Sequence, residues 1–265
     1  MLSTLFKYEF KNTAKVMLTL YGILTVVTIL WFPLAPGFDG SETSIEGIQA
    51  IFTLVYFALY MMSIVACIFI TIIYLTVHFY KTMYASQGYL TFTLPVKPVT
   101  IFNVKLLVSA VWMLLSITFI ILSFFSILAS LPGFMDELQS GYSLKHTMAL
   151  YLSTIGMRSG EFIIYLVMYF ILICFMSPIR LYLGCSIGQL FNNRKVSAAI
   201  IAGIVLFFAH NSIVQSFAEL VELYQQETNL LFSGIAWILF IFDLFFTFLF
   251  YLGNVIIVKK HINLE

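Results

Sequence analysis

The residues with the clearest potential for chemistry are Gly184-Cys185-Ser186-Ile187-Gly188, which fit G-x-S-x-G. In hydrolases that pattern sets a nucleophile on a strained strand-to-helix turn above an α/β sheet, ready for acyl transfer. No strand pattern supplies such a turn here. The same residues also read as a helix packing face, with Gly184 and Gly188 at small-xxx-small spacing. Arg180, His210, Asn211 and Asp243 lie inside long apolar runs, and His78 lies near the end of another. Ionisable groups at such positions are costly in a bilayer and mark pathways, relays or ion pairs. Cys67, Cys174 and Cys185 form neither a disulfide framework nor a metal spacing. The chain has no G-x-x-x-x-G-K-[ST], H-E-x-x-H or G-x-G-x-x-G. No cofactor or metal is therefore expected in it, and no P-loop for nucleotide phosphates.

These residues must be positioned by membrane helices. Of 265 residues, 62% are hydrophobic and only 9% charged, with a mean hydropathy of +1.03. Soluble domains carry about 25% charged residues, so this chain cannot coat a water-soluble globule. The net charge of +1 offers no basic field to nucleic acid. Six apolar stretches, 16–35, 48–79, 106–131, 162–185, 196–217 and 230–258, are each long enough to span. Period-2 alternation is absent, so the spans are helices rather than barrel strands. The second stretch has 32 residues, about 48 Å as a helix, and must tilt or project into water. The first is followed by Leu34-Ala35-Pro36-Gly37 without an A-x-A-like site and is expected to be a permanent span, not a signal peptide. The expectation is one all-α integral membrane domain over 1–265.

Charge sets the orientation. Lys7, Lys11 and Lys15 precede the first span; Lys81, Lys97 and Lys105 fill the second-to-third connection. Arg194 and Lys195 join spans four and five, and Lys259 and Lys260 follow span six. The alternate loops hold Asp39, Glu42, Glu46, Asp136, Glu137, Glu219, Glu222 and Glu227, with only Lys145 and Arg158 basic. Lys and Arg stay in the cytoplasm, so both termini are expected there.

Residues 2–17 pattern as an amphipathic helix, with Leu2, Leu5, Phe6, Phe10 and Met17 on one face and Lys7, Lys11 and Lys15 on the other. It suits a surface helix over about 1–15 on anionic lipid, or a positive flank that fixes topology. Glu9 falls within the apolar arc and must snorkel or find a partner. Between spans two and three, Lys81 to Ser86 is expected to be a short helix that Gly88 stops in the left-handed region. Pro95 and Pro98 should hold extended backbone before span three. That leaves Tyr84, Tyr89, Leu90 and Phe92 as an apolar cytoplasmic knob, covered by a partner protein or folded back onto the interface.

The stretch Gln87-Gly88-Tyr89-Leu90-Thr91-Phe92-Thr93-Leu94-Pro95-Val96 resembles the E-G-Y-L-x-x-T-L-P-V segment of small Gram-positive type-2 ABC transporter permeases. Ser186-Ile187-Gly188-Gln189-Leu190-Phe191-Asn192 is similar to their S-I-G-Q-L-F turn, and Phe6 to Lys11 to their N-terminal interface helix. Gln87 departs from the pattern, standing where an acidic residue is expected. The resemblance implies the six-span permease subunit of an ATP-driven exporter in a bacterial plasma membrane. A second permease copy or paralogue and two separate ATPase subunits, which hold ATP and Mg, would complete it. Its coupling helix would involve Lys81, Tyr84, Ser86, Gln87, Gly88, Tyr89 and Leu90. Amphipathic peptides or other hydrophobic compounds suit the Phe-rich, poorly charged spans as cargo.

A six-span chain with a serine and a histidine also resembles rhomboid intramembrane serine proteases. Here Ile187 replaces the glycine their G-x-S-G pattern needs, and span six has no histidine. A non-transporting membrane immunity or sensor protein is the third reading. Two further expectations concern the spans. Pro178 removes a helical hydrogen bond to Cys174 and makes either a hinge or a static bend. Asp243 near the midplane either pairs with Arg180 or stays apart, with Arg180 snorkelling to the headgroups.

Overall fold

A computed structural model describes residues 2–33, 44–93, 95–130, 158–191, 194–228 and 232–260, with 146, 150 and 152 between them. The described residues form seven helices and no strand. They are α1 (Leu2–Ile29), α2 (Ser44–Met83), α3 (Ser86–Phe92), α4 (Pro98–Ala129), α5 (Ser159–Gly188), α6 (Lys195–Thr228) and α7 (Phe232–Lys260). All but α3 are long and apolar enough to cross a membrane. Only 17 to 28% of each span's most apolar stretch is buried inside the protein. The remaining apolar surface needs lipid or another protein against it, which makes this a multi-pass membrane protein.

Three boundaries differ from expectation, each for a local reason. First, α1 runs without a break through residues 15 and 16, so the amphipathic segment and the first span are one helix. Lys7, Lys11 and Lys15 are all exposed on it, while Thr13, Met17, Tyr21, Leu24 and Thr28 make its buried stripe. Second, α4 starts at Pro98, eight residues before the apolar run at Leu106. Proline has no N–H to lose at a first helical position and its φ is already set for the helix. Third, Gly88 does not stop a helix. The break comes earlier, at Tyr84 and Ala85, and Gly88 lies in the first turn of α3, donating to the Ala85 carbonyl at 2.7 Å.

The chain divides into two compact units. The unit of residues 10–71 and 112–149 is organised around serines on α4. Ser116 shares a hydrogen bond with the Tyr21 hydroxyl at 2.8 Å and lies 3.3 Å from Thr71. Ser123 meets Thr28 at 2.6 Å and Tyr60 at 2.7 Å. Ser130 accepts from Trp31 Nε1 at 2.7 Å. These serines are seven residues apart, the spacing that keeps one seam of a helix facing its neighbours. Leu24, Trp31, Tyr60, Cys67 and Ile127 are buried beside them.

In the other unit, residues 2–9, 72–111 and from 150 onward, α5 packs on α6 and α7. Glycine sets the α5–α6 approach. A Cβ built on Gly184 would lie 2.7 Å from Gly203 Cα, and one on Gly188 2.5 Å from Ala199 Cβ. The G-x-S-x-G motif is therefore a helix contact. Beside it, Phe79 stacks on Tyr182 with ring centroids 3.7 Å apart, and Phe102 sits edge-on to both rings.

Two outcomes test this packing. Gly188→Ala should cost about 1 to 3 kcal/mol by forcing backbone apart. Gly160→Ala on the same helix, where a Cβ meets nothing within 4 Å, should be neutral. Ser123→Ala should cost about 0.6 to 1.7 kcal/mol, the range for interhelical hydrogen bonds in a bilayer. Reversible unfolding in mixed detergent micelles measures both; a neutral Gly188→Ala would refute the close approach.

Candidate functional site

All polar clusters below lie within the unit that holds α5, α6 and α7. The first is the joint between α2 and α3. At the end of α2, Thr82 donates to the His78 carbonyl at 2.7 Å. Its own carbonyl accepts from the Thr91 hydroxyl of α3 at 3.0 Å, tying the short helix back onto the long one. Between them Tyr84 is fully buried, edge-on to Phe79. The expectation that Tyr84 projects into the cytoplasm is thus corrected: its ring fills the core, while Tyr89 is half exposed. Gln87 and Lys81 are exposed, and Gly88 is buried. The side chains of Ser86, Leu90 and Phe92 lie outside the described residues.

Tyr84 is buried because its hydroxyl has a partner. It shares a hydrogen bond with Ser186 at 2.8 Å, and Ser186 donates to Asn254 Oδ1 at 2.9 Å. Asn254 in turn donates to the carbonyls of Ile179 and Phe250, both at 3.0 Å. Burial raises the Tyr84 hydroxyl above the usual phenol range, which keeps it protonated. The chain of bonds therefore links the α2–α3 joint to α5 and α7. Ser186 is 0% exposed inside an unbroken helix, and neither of its bonds is to a histidine.

A second cluster answers the question of Glu9. Its Oε1 accepts from Lys105 Nζ at 2.7 Å and lies 2.8 Å from His78 Nε2. Lys105, only 5% exposed, also donates to Thr82 Oγ1 at 2.8 Å. One carboxylate thus joins the start of α1 to α2 and α4, and through Thr82 it reaches the same joint.

The third cluster is the intramembrane one. Arg180 and Asp243 do not pair directly; the His210 ring stands with each of them. Arg180 Nη1 is 3.4 Å from His210 Nδ1, and His210 Nε2 is 3.4 Å from Asp243 Oδ1. The Tyr169 hydroxyl donates to Asp243 Oδ2 at 3.3 Å. Arg180 also rests over the Phe207 ring, 4.5 Å from its centroid. Asn211 is exposed and lies outside the cluster. Pro178 is buried within α5, which stays helical on both sides of it.

The sequence marked Arg180, His210, Asn211 and Asp243 as intramembrane polar residues, weighing only Arg180 with Asp243 as a pair, and Lys81, Tyr84, Ser86, Gln87, Gly88, Tyr89 and Leu90 for the α2–α3 region. It did not mark Lys105, Thr82, Thr91 or Asn254 as site residues, nor Tyr182, whose hydroxyl bonds Ser109. Ser109 begins the seven-residue serine series of α4, a signal that was legible; the others are ordinary span or loop residues without a local pattern. No family model, curated protein or solved structure matches the chain.

The carboxylate cluster makes a direct prediction. Lys105→Met should cost about 3 kcal/mol, because it removes one of the two basic partners of a partly buried carboxylate. Adding Glu9→Leu should recover much of the loss. Unfolding of the two variants in micelles decides it, and additive losses would show that the two groups act independently.

Proposed function

We propose that the chain is the permease subunit of an ATP-driven exporter, of the type-2 ABC class that its two cytoplasmic motifs resemble. The observation that carries this reading is the α2–α3 joint. A short helix with an exposed aromatic, Tyr89, is anchored at Thr91 and at the adjacent Tyr84, and through Tyr84 to α5 and α7. A docking element that transmits force needs such a stiff connection, since a loosely tethered loop would absorb the motion. Six apolar spans with basic residues in alternate connections support a multi-pass protein with both termini in the cytoplasm.

On this reading, two copies of a separate ATPase dock at α3 and hold ATP and Mg. A second permease copy or paralogue completes the pathway. The cargo is an amphipathic peptide or another hydrophobic compound, suited to spans with 28 phenylalanines in the chain and few charges. The first two turns of α1, with Lys7 exposed, rest at the cytoplasmic headgroups. The protease reading finds no support in Ser186, which is bonded to Tyr84 and Asn254.

The test is to isolate the protein from its native membrane and ask whether an ATPase comes with it. Tyr89→Asp, a change at an exposed position, should leave folded yield unchanged and reduce transport-stimulated ATP hydrolysis at least tenfold, an effect of about 1.4 kcal/mol or more on coupling. Gly88→Pro, which removes the 2.7 Å bond to Ala85, should act alike. Full stimulation in both variants would refute α3 as the docking element.

A further inference from the structure

The Arg180–His210–Asp243 cluster is not a closed network. Arg180 Nε, His210 Nε2 and Asp243 Oδ1 are buried and make no hydrogen bond to the described residues. The 3.4 Å approach of Nε2 to Oδ1 has the reach of an ion pair but not the alignment of a hydrogen bond. Buried polar atoms are nearly always satisfied, and a group of three exceptions at one place calls for a missing participant.

The donor chemistry identifies that participant. A guanidinium can only donate, so His210 Nδ1 facing Arg180 Nη1 must be the accepting, unprotonated nitrogen. The ring proton is then on Nε2, the nitrogen 3.4 Å from Asp243 Oδ1 but not aligned with it as a hydrogen bond. The Nδ1 lone pair is spent on Arg180 Nη1, and what can displace that donor is a proton. We propose that His210 is a proton-binding site in the membrane interior. Hydronium gives its proton to Nδ1 and leaves as water. Nδ1 can then no longer accept from Arg180, and the imidazolium pairs with Asp243 instead.

Each state joins different helices. With His210 neutral, Arg180 holds α6 to α5; with His210 charged, Asp243 holds α6 to α7. Both arrangements have their seats prepared. The Phe207 face retains the released guanidinium through a cation–π contact. The titratable or charged groups around the ring are Arg180 and Tyr169 of α5, with Tyr165 stacked on Tyr169, and Asp243 of α7. The rings of Phe246 and Phe250 close the remaining sides, with centroids 5.1 and 5.7 Å away. A proton is thus a ligand that biases which neighbour α6 follows.

This inference does not depend on the exporter reading, and its test needs no ATPase. The protein, labelled with ¹⁵N-histidine in lipid nanodiscs, is followed by imidazole NMR, with His210 assigned by the signal lost in His210→Gln. At about pH 8, His210 should be neutral with its proton on Nε2. On acidification it should become doubly protonated. Asp243→Asn should require at least about tenfold more acid for that change, Asp243→Glu should restore it, and Arg180→Gln should require less acid than wild type. A neutral His210 carrying its proton on Nδ1 would overturn the proposal. So would the same response to acid in wild type, Asp243→Asn and Arg180→Gln.

Discussion

The hydrocarbon of a bilayer offers no hydrogen bonds, so polar side chains buried in the spans depend chiefly on partners within the protein. That constraint organises this structure more than apolar contact does, because lipid tails solvate leucine and phenylalanine as well as a neighbouring helix would. Helix association then depends on close packing and on hydrogen bonds between spans. The serines of α4 meet it residue by residue. Ser116 and Ser123 each serve two partners, and Ser130 accepts from Trp31. The Gly184 and Gly188 contacts with α6 are the packing counterpart, since without a Cβ the backbones come near enough for dispersion to act over a long contact.

The same constraint explains where stiffness and capacity for change are found. At the α2–α3 joint, bonds between 2.7 and 3.0 Å run from Glu9 through Lys105, Thr82 and Thr91. The Tyr84–Ser186–Asn254 chain is equally short. A fully bonded network in a low-dielectric setting holds one geometry. In the Arg180–His210–Asp243 cluster the contacts lengthen to 3.4 Å and three atoms lack partners. An incompletely bonded group is where a second arrangement is nearly as good as the first.

Much was determined by the sequence alone. Long apolar runs separated by charged breaks specify the number and approximate limits of the spans, because a run of about 20 apolar residues has only one stable place to be. The helical packing role of Gly184 and Gly188 was legible from spacing. So was the need of Glu9 either to snorkel or to find a partner, because a carboxylate within an apolar arc is costly if left unpaired. These readings rest on local patterns and on the solvent.

The tertiary structure decided which residues meet. Tyr84 reads as an exposed aromatic next to a turn; that it is buried follows from Ser186, 102 positions later in the chain. Glu9 meets Lys105, 96 residues away on another helix, and His78, 69 residues away. Depth left Arg180 and Asp243 either paired or apart, because position along an axis says nothing about rotation around it, and His210 stands with each of them. Even the start of α4 moved, because proline at a first helical turn has no N–H bond to lose and a φ already set for the helix. Composition and periodicity act on a single helix in a given solvent. Pairing depends on how separate helices turn toward one another, which no local stretch of sequence encodes.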